Sequence, residues 1–131
     1  DYYNNFLEIL EELTIVGDIT YNDFCKKFDE LNSQVYVIID NLTKNIVGSG
    51  TILIENKFIH NLSSVAHIED IVISKNYRNL GLGKYLINFL IDIAKKESSY
   101  KIILDCDDKN VEFYEKCGFS KKGNQMAIYI L

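Results

Sequence analysis

Apolar positions along this chain change period several times, and each change marks an element. From about Tyr3 to Glu12 the spacing of Phe6, Leu7, Leu10 and Leu13 is helical and puts those four inward. Thr20 opens a second helix, with Asp23 three residues later completing a capping-box-like start and Phe24, Phe28 and Leu31 as its apolar face. Val35 to Ile39 and Ile46 to Glu55 read as two strands joined by the polar turn Asp40–Asn45, a hairpin. Phe58 and Ile59 begin a shorter segment, and a polar loop leads on to a β-branched run from His67 to Ile73. Next comes a helix with Tyr85, Leu86, Phe89, Leu90, Ile93 and Ala94 at helical spacing. A buried strand follows from Tyr100, then a turn and a short helix closed by Gly118, and a final strand is expected near Met126–Ile130. Strands first, then strand-helix-strand, predict an α+β fold with a mixed sheet covered by helices, within one domain over residues 1–131.

The junction between the β-branched run and the long helix carries the chemistry. Arg78-Asn79-Leu80-Gly81-Leu82-Gly83-Lys84 starts a helix in glycine, directly after a strand. The first turn of a helix has unsatisfied N–H groups and the positive end of the macrodipole, so it attracts phosphate. Glycine lets the phosphate approach the backbone, where a Cβ would hold it off. Three cofactor readings compete. A dinucleotide fingerprint needs a third glycine where Leu86 stands. A P-loop needs an earlier glycine and a Ser or Thr after Gly83-Lys84, and both are absent. The third rests on likeness: Arg-x-x-Gly-x-Gly after a strand resembles the acetyl-CoA pyrophosphate loop of the GCN5-related N-acetyltransferase (GNAT) superfamily.

That third reading is extended by Ala66-His67-Ile68-Glu69-Asp70-Ile71-Val72-Ile73 upstream. Downstream stands Tyr100-Lys101-Ile102-Ile103-Leu104-Asp105-Cys106, followed by Asn110-Val111-Glu112-Phe113-Tyr114-Glu115-Lys116-Cys117-Gly118-Phe119. Together these runs resemble the GCN5-related N-acetyltransferase (GNAT) superfamily, and within it the glucosamine 6-phosphate N-acetyltransferases. The likeness runs from about Leu13 to Met126. It implies a GNAT fold whose first strand is missing or truncated here, acetyl-CoA as cosubstrate, and a homodimer with its sites near the subunit interface. It places the pantetheine arm along Ile71, Val72 and Ile73, and the pyrophosphate on Arg78, Asn79, Leu80, Gly81, Leu82, Gly83 and Lys84, with Asn110 and Tyr114 also at the cofactor. Tyr114 matches the tyrosine that protonates the leaving thiolate. By matched position Thr14, Lys57, His60, Tyr100 and Lys101 contact the sugar phosphate, and Glu69, Asp70 and Asp105 lie by the amine. Where relatives carry Met-x-Ile-Arg, this chain has Met126-Ala127-Ile128-Tyr129, so a phosphate-gripping arginine is replaced by Tyr129.

The chemistry of acyl transfer gives these residues separate tasks. Strand amides at Ile71–Ile73 stabilise the carbonyl oxygen if a bulge leaves them unpaired. Glu69 takes the amine proton through water, and Tyr114 supplies one to sulfur. Glu69 and Asp70 are adjacent, so on a regular strand they point to opposite faces. Two other readings stay open: a different small-amine or protein acetyltransferase, and a CoA-binding module without catalysis.

Composition narrows the setting. A formal net charge of −5 argues against a nucleic-acid footprint. No apolar run approaches the ~20 residues that span a bilayer. No leader is legible from Asp1, although the chain begins without Met. Cys25, Cys106 and Cys117 have no metal-ligand spacing, so no metal is expected, and their odd number fits reduced thiols in the cytoplasm.

Overall fold

The computed structural model describes residues 2–131. Its order is α1 (Phe6–Glu11), α2 (Tyr21–Glu30), β1 (Gln34–Ile39), β2 (Ile46–Asn56), α3 (Ile59–Leu62), β3 (Ser64–Ile73), α4 (Leu82–Lys96), β4 (Ser99–Ile103) and α5 (Val111–Lys116). The strands form one sheet in the order β1-β2-β3-β4, antiparallel except for the parallel β3–β4 pair. The mixed sheet with helical cover is the expected architecture, built here on four strands among the described residues.

Local signals set several of these boundaries. Thr20 caps α2: its hydroxyl oxygen accepts the Asp23 N–H at 3.2 Å and donates to Asp23 Oδ2 at 2.8 Å. At the far end of α5, the Phe119 N–H returns to the Tyr114 carbonyl and Gly118 takes φ 104°, a left-handed helix stop.

The main core lies between α4 and the sheet, where Leu86, Ile87, Leu90 and Ala94 meet Ile52, Ala66 and Ile68. This turns α4 slightly from the expected face. Ile87 is buried, whereas Tyr85 and Phe89 are exposed. Lys84, Asn88, Asp92, Lys95 and Lys96 mark the polar side, and among the apolar positions that remain, contact with the sheet buries Ile87 and leaves Tyr85 and Phe89 at the border. A smaller cluster forms where Ile9, with Phe6 and Leu10, packs on Ile46 and Val72. Leu13 falls beyond the end of α1 and is exposed rather than inward. On α2, which buries no residue, Phe28 and Leu31 of the expected apolar face are also exposed.

Two expectations fail. β3 begins at Ser64 rather than His67, because its first residues pair with both β2 and β4. The final strand does not form, and residues 119–131 contain no helix or strand. Met126, Ile128 and Ile130 alternate as a strand would, yet are about nine-tenths exposed. A strand needs a ladder partner for its backbone groups, and this segment pairs with none among the described residues.

Candidate active site

The site is organised by an irregularity in β3. Its register with β2 runs Thr51↔Glu69 and then Ser49↔Val72, so Asp70 and Ile71 together oppose Gly50. Asp70 takes φ 53°, the mark of a bulge. Gly50 is what admits it, since a Cβ there would sit 2.6 Å from Ile71 Cδ1. The extra residue shifts the alternation by one position. Ala66 and Ile68 pack with α4, and beyond the bulge Ile71 and Ile73 do so, while Val72 packs with α1. Alternation is thus interrupted at Asp70, immediately after Glu69. Both are exposed, and the charges of Asp70 and Asp105 add to partial desolvation in raising the Glu69 carboxyl above its ordinary range.

On its other side β3 parts from β4. Pairing runs from Ser64↔Ser99 to His67↔Ile103 and stops, although β3 continues to Ile73. Beyond that point the β4-side amides of β3 have no ladder partner, and the facing chain is Leu104-Asp105-Cys106. Such an opening at the carboxyl ends of two parallel strands is where ligands enter sheets of this kind. Both connections that leave those ends carry site residues. After β3 come the turn Lys75–Tyr77, then Arg78, Asn79 (φ 63°), Leu80 and Gly81 (φ 80°), which is the N-cap of α4. No side chain caps α4, so its first amides, with Leu82, Gly83 and Lys84 in the first turn, remain free for a ligand. Nothing lies within 4 Å of a Cβ built on Gly81, so the space over the backbone there is open.

After β4 comes Asn110, which precedes α5 without a side-chain cap bond, and then Tyr114. The glycine turn and α5 touch: a Cβ on Gly83 would lie 3.2 Å from Phe113 Cζ. Lys84 is also close enough to Cys117 for its charge to offset part of the burial that pushes that thiol up. Tyr114 is half-buried, edge-on to Phe113 (centroids 5.0 Å apart) and Phe119 (6.0 Å). Burial first, then the nearby Cys106 and Cys117, push its phenol up to about 12. Both thiols are themselves raised, chiefly by burial, which keeps them protonated and poor nucleophiles.

The remaining expected residues fall into two groups and one outlier. His60 stacks on Tyr100 (centroids 3.9 Å), with Lys101 Nζ 5.6 Å from that ring. Lys57 is 3.0 Å from Glu55, whose other oxygen binds His67 Nε2 at 2.9 Å, and these two partners hold the Glu55 carboxyl below its usual range. Thr14 stands exposed past α1. A cavity of about 980 Å³ runs along the outer edge of β4. It is lined by Tyr100, Lys101, Asp105 and Tyr114 but not by the glycine turn, Glu69, Lys57 or His60. Gln125 reaches into this region and donates to Asp105 Oδ2 at 3.1 Å. Sequence reasoning missed Gln125, Glu55, and the ties of Glu12 and Asp40 to the turn before the glycines. Those partners lie tens of residues away with no local pattern to announce them.

Comparison with known proteins agrees with this geometry. A sequence model of the acetyltransferase (GNAT) family matches residues 3–119. Glucosamine 6-phosphate N-acetyltransferase of Arabidopsis thaliana is 39% identical over 98% of this chain and 90% of its own length. The protein of that name from Candida albicans is 40% identical over 97% and 88%. The crystal structure of the Arabidopsis enzyme superposes with a TM-score of 0.95 over 98% of this chain and 91% of that one, at 37% identity. The parted strands, the bulge and the glycine-started helix are thus those of a chain that belongs to the acetyltransferase (GNAT) family, among the glucosamine 6-phosphate N-acetyltransferases.

Proposed function

We propose that this chain transfers the acetyl group of acetyl-CoA to the amine of D-glucosamine 6-phosphate, giving N-acetyl-D-glucosamine 6-phosphate on the route to UDP-N-acetylglucosamine. The observation that carries this reading is the parting of β3 from β4 with a glycine-started helix at its mouth. Relatives named for that reaction, 39% and 40% identical, support the choice of sugar.

The residues present suit acetyl-CoA. Backbone over Gly81 is open, where a Cβ would fill the space a pyrophosphate needs, and Arg78 to Lys84 would hold that group. Ile71 to Ile73 would hold the pantetheine arm, with Asn110 and Tyr114 beside it. Acetyl-CoA supplies the acetyl group as a thioester.

Each residue then has a task. Amides along Ile71–Ile73 donate to the carbonyl oxygen as negative charge develops on it. Glu69 draws the amine proton through water, and its raised carboxyl is a better base than an ordinary one. Asp70 and Asp105 orient the amine. Tyr114 serves the departing sulfur mainly as a hydrogen-bond donor. Full transfer from a phenol at about 12 to a thiolate near ~8.5 runs uphill, so the bond stabilises sulfur, and the proton that Glu69 has drawn from the amine returns through water to the thiolate. His60, Tyr100, Lys101, Lys57 and Thr14 would receive the sugar phosphate.

The proposal treats residues 1–131 as one acetyltransferase domain acting as a cytoplasmic homodimer with its sites near the interface. The unpaired outer edge of β4 and the exposed Met126, Ile128 and Ile130 support association of two copies. Among the described residues no helix is long and apolar enough to cross a membrane.

Thiol release from acetyl-CoA, measured with glucosamine and with its 6-phosphate, tests the reading. The phosphate ester should be preferred by at least ~10²-fold in kcat/KM, since contacts to charged groups contribute ~1.5–3 kcal/mol each. Equal rates on the two sugars would overturn the choice of substrate. CoA binding without release to any amine would leave a binding module.

A further inference from the structure

The turn that leads into the glycines is held by polar ties rather than by packing. Lys75–Tyr77 buries no residue, and beneath it lies a cavity of about 260 Å³ that also reaches Glu12, Thr43 and Asn45. Three elements pin this turn from outside. The Ser74 N–H donates to the Val47 carbonyl at 2.8 Å. Tyr77 donates its hydroxyl to Asp40 Oδ2 at 2.6 Å. From the end of α1, Glu12 Oε1 accepts the Lys75 N–H at 2.7 Å and lies 3.4 Å from Arg78 Nη2. Arg78 in turn donates from Nε to the Ile73 carbonyl at 3.1 Å.

Glu12 thus fixes the start of the turn through one backbone amide. Through Arg78 it also fixes the end of the turn against the last residue of β3. The Glu12 side chain is 24% exposed and that of Arg78 53%, so their ion pair lies at the surface, and the 2.7 Å bond to the Lys75 amide carries most of the hold. Arg78 is tied to both Ile73 and Glu12, and the four residues between it and Gly83 begin from a fixed point. Without Glu12, the Lys75 amide loses its acceptor and Arg78 loses one of its two anchors, with only the cavity beneath to receive them.

We propose that Glu12 is a positioning residue of the cofactor site, holding Lys75–Arg78 so that the amides at Gly81–Lys84 meet the cofactor phosphates in the right place. This rests on the reading that the chain binds acetyl-CoA. Glu12 stands at the end of α1, outside the glycine turn. It acts through the Lys75 amide and Arg78, and it ties α1 to the turn before the glycine loop.

The test is calorimetry with CoA on the full chain, together with KM for acetyl-CoA, KM for glucosamine 6-phosphate, and kcat. Glu12→Ala should weaken CoA binding about 10-fold or more and raise KM for acetyl-CoA in step, with kcat and the sugar KM within about 2-fold. Glu12→Gln keeps an oxygen acceptor for the Lys75 amide and should restore most of the affinity. Lys75→Pro removes the N–H at the first residue of the turn, after extended Ser74, and should reproduce the loss with Glu12 still present, whereas Lys75→Ala, which lacks the same side chain but keeps the N–H, should not. Unchanged CoA affinity in folded Glu12→Ala or Lys75→Pro, even with a lowered Tm, overturns the proposal. So does tighter binding in both Glu12 variants, which would make Glu12 a charge that repels phosphate. Should the wild-type chain itself bind no CoA, it is the acetyl-CoA reading that falls.

Discussion

The imidazole of His60 lies face to face with the phenol ring of Tyr100, centroids 3.9 Å apart and planes 26° from parallel. The stack joins α3 to β4 across the top of β3. It holds a turn that goes left-handed at three successive non-glycine residues, His60 (φ 49°), Asn61 (57°) and Leu62 (63°). Left-handed backbone costs ordinary residues roughly 1–2 kcal/mol each, so this turn persists only because its surroundings fix it. Tyr100→Ala should release it. A ring pair contributes about 0.5–1.5 kcal/mol, which predicts a roughly 2- to 10-fold rise in KM for glucosamine 6-phosphate. Steady-state kinetics should show the acetyl-CoA KM unchanged. Equal shifts in both constants would place the stack outside the sugar site.

Gly81→Val and Gly83→Val should both abolish CoA binding by calorimetry, for different reasons. Gly81 sits at φ 80°, where a branched residue is strained and its side chain would enter the open space over the backbone. Gly83 faces Phe113, so a side chain there pushes on α5 and displaces Tyr114 beside it. Any residual activity should therefore fall further in kcat for Gly83→Val than for Gly81→Val. Unchanged CoA affinity in either folded variant would remove the turn from the cofactor site.

Tyr114→Phe deletes only the hydroxyl and should lower kcat on the order of 10²-fold, with CoA affinity nearly kept. A phenol pushed up to about 12 stays protonated across the working range. The pH–rate profile of the wild type should accordingly show no falling limb from Tyr114 between pH 7 and about 10. A limb near 9 that vanishes in Tyr114→Phe would mean the phenol ionises far more readily than its burial allows.

Tyr77 and Asp40 predict a stability plateau. The hydrogen bond from Tyr77 is the first cause holding the Asp40 carboxyl below its ordinary 3.8, and the same bond raises Tyr77 above 10.0. The lowered carboxyl contributes stability above pH ~4 that is lost as pH falls through its folded value. The raised phenol contributes stability below pH ~10 that is lost as pH rises through its folded value. Tyr77→Phe should melt below the wild type between those limits and converge with it at either extreme. Thermal unfolding across pH would show this, and a constant gap from pH 2 to 8 would exclude the bond as its source.

How much of this was legible before folding depended on the reach of each interaction. Thr20 with Asp23, the glycine start of α4, the Gly118 stop and the β1–β2 hairpin are set by residues a few positions apart. A one-dimensional reading finds them because the hydrogen bonds concerned are themselves local. The motif residues Glu69, Asp105 and Tyr114 were legible too, through their likeness to a family, but their geometry was not. Simple alternation carried on from Ile68 would have put Ile71 on the opposite face, and the bulge opposite Gly50 that keeps both against α4 has no local signature.

The sequence by itself determined the order of elements through β4 and α5, and the phosphate-seeking start of α4, since both follow from side chains and backbone within one or two turns. Only the tertiary structure decided where β3 parts from β4, which face of α4 is buried, and that Glu12 and Asp40 brace the turn before the glycines. It also left Met126–Ile130 without a ladder, although the pattern there is that of a strand. The physical reason is common to all of these. A strand, a bulge or a brace exists only when a partner distant in the chain supplies the other half of each hydrogen bond, and no local pattern encodes that partner.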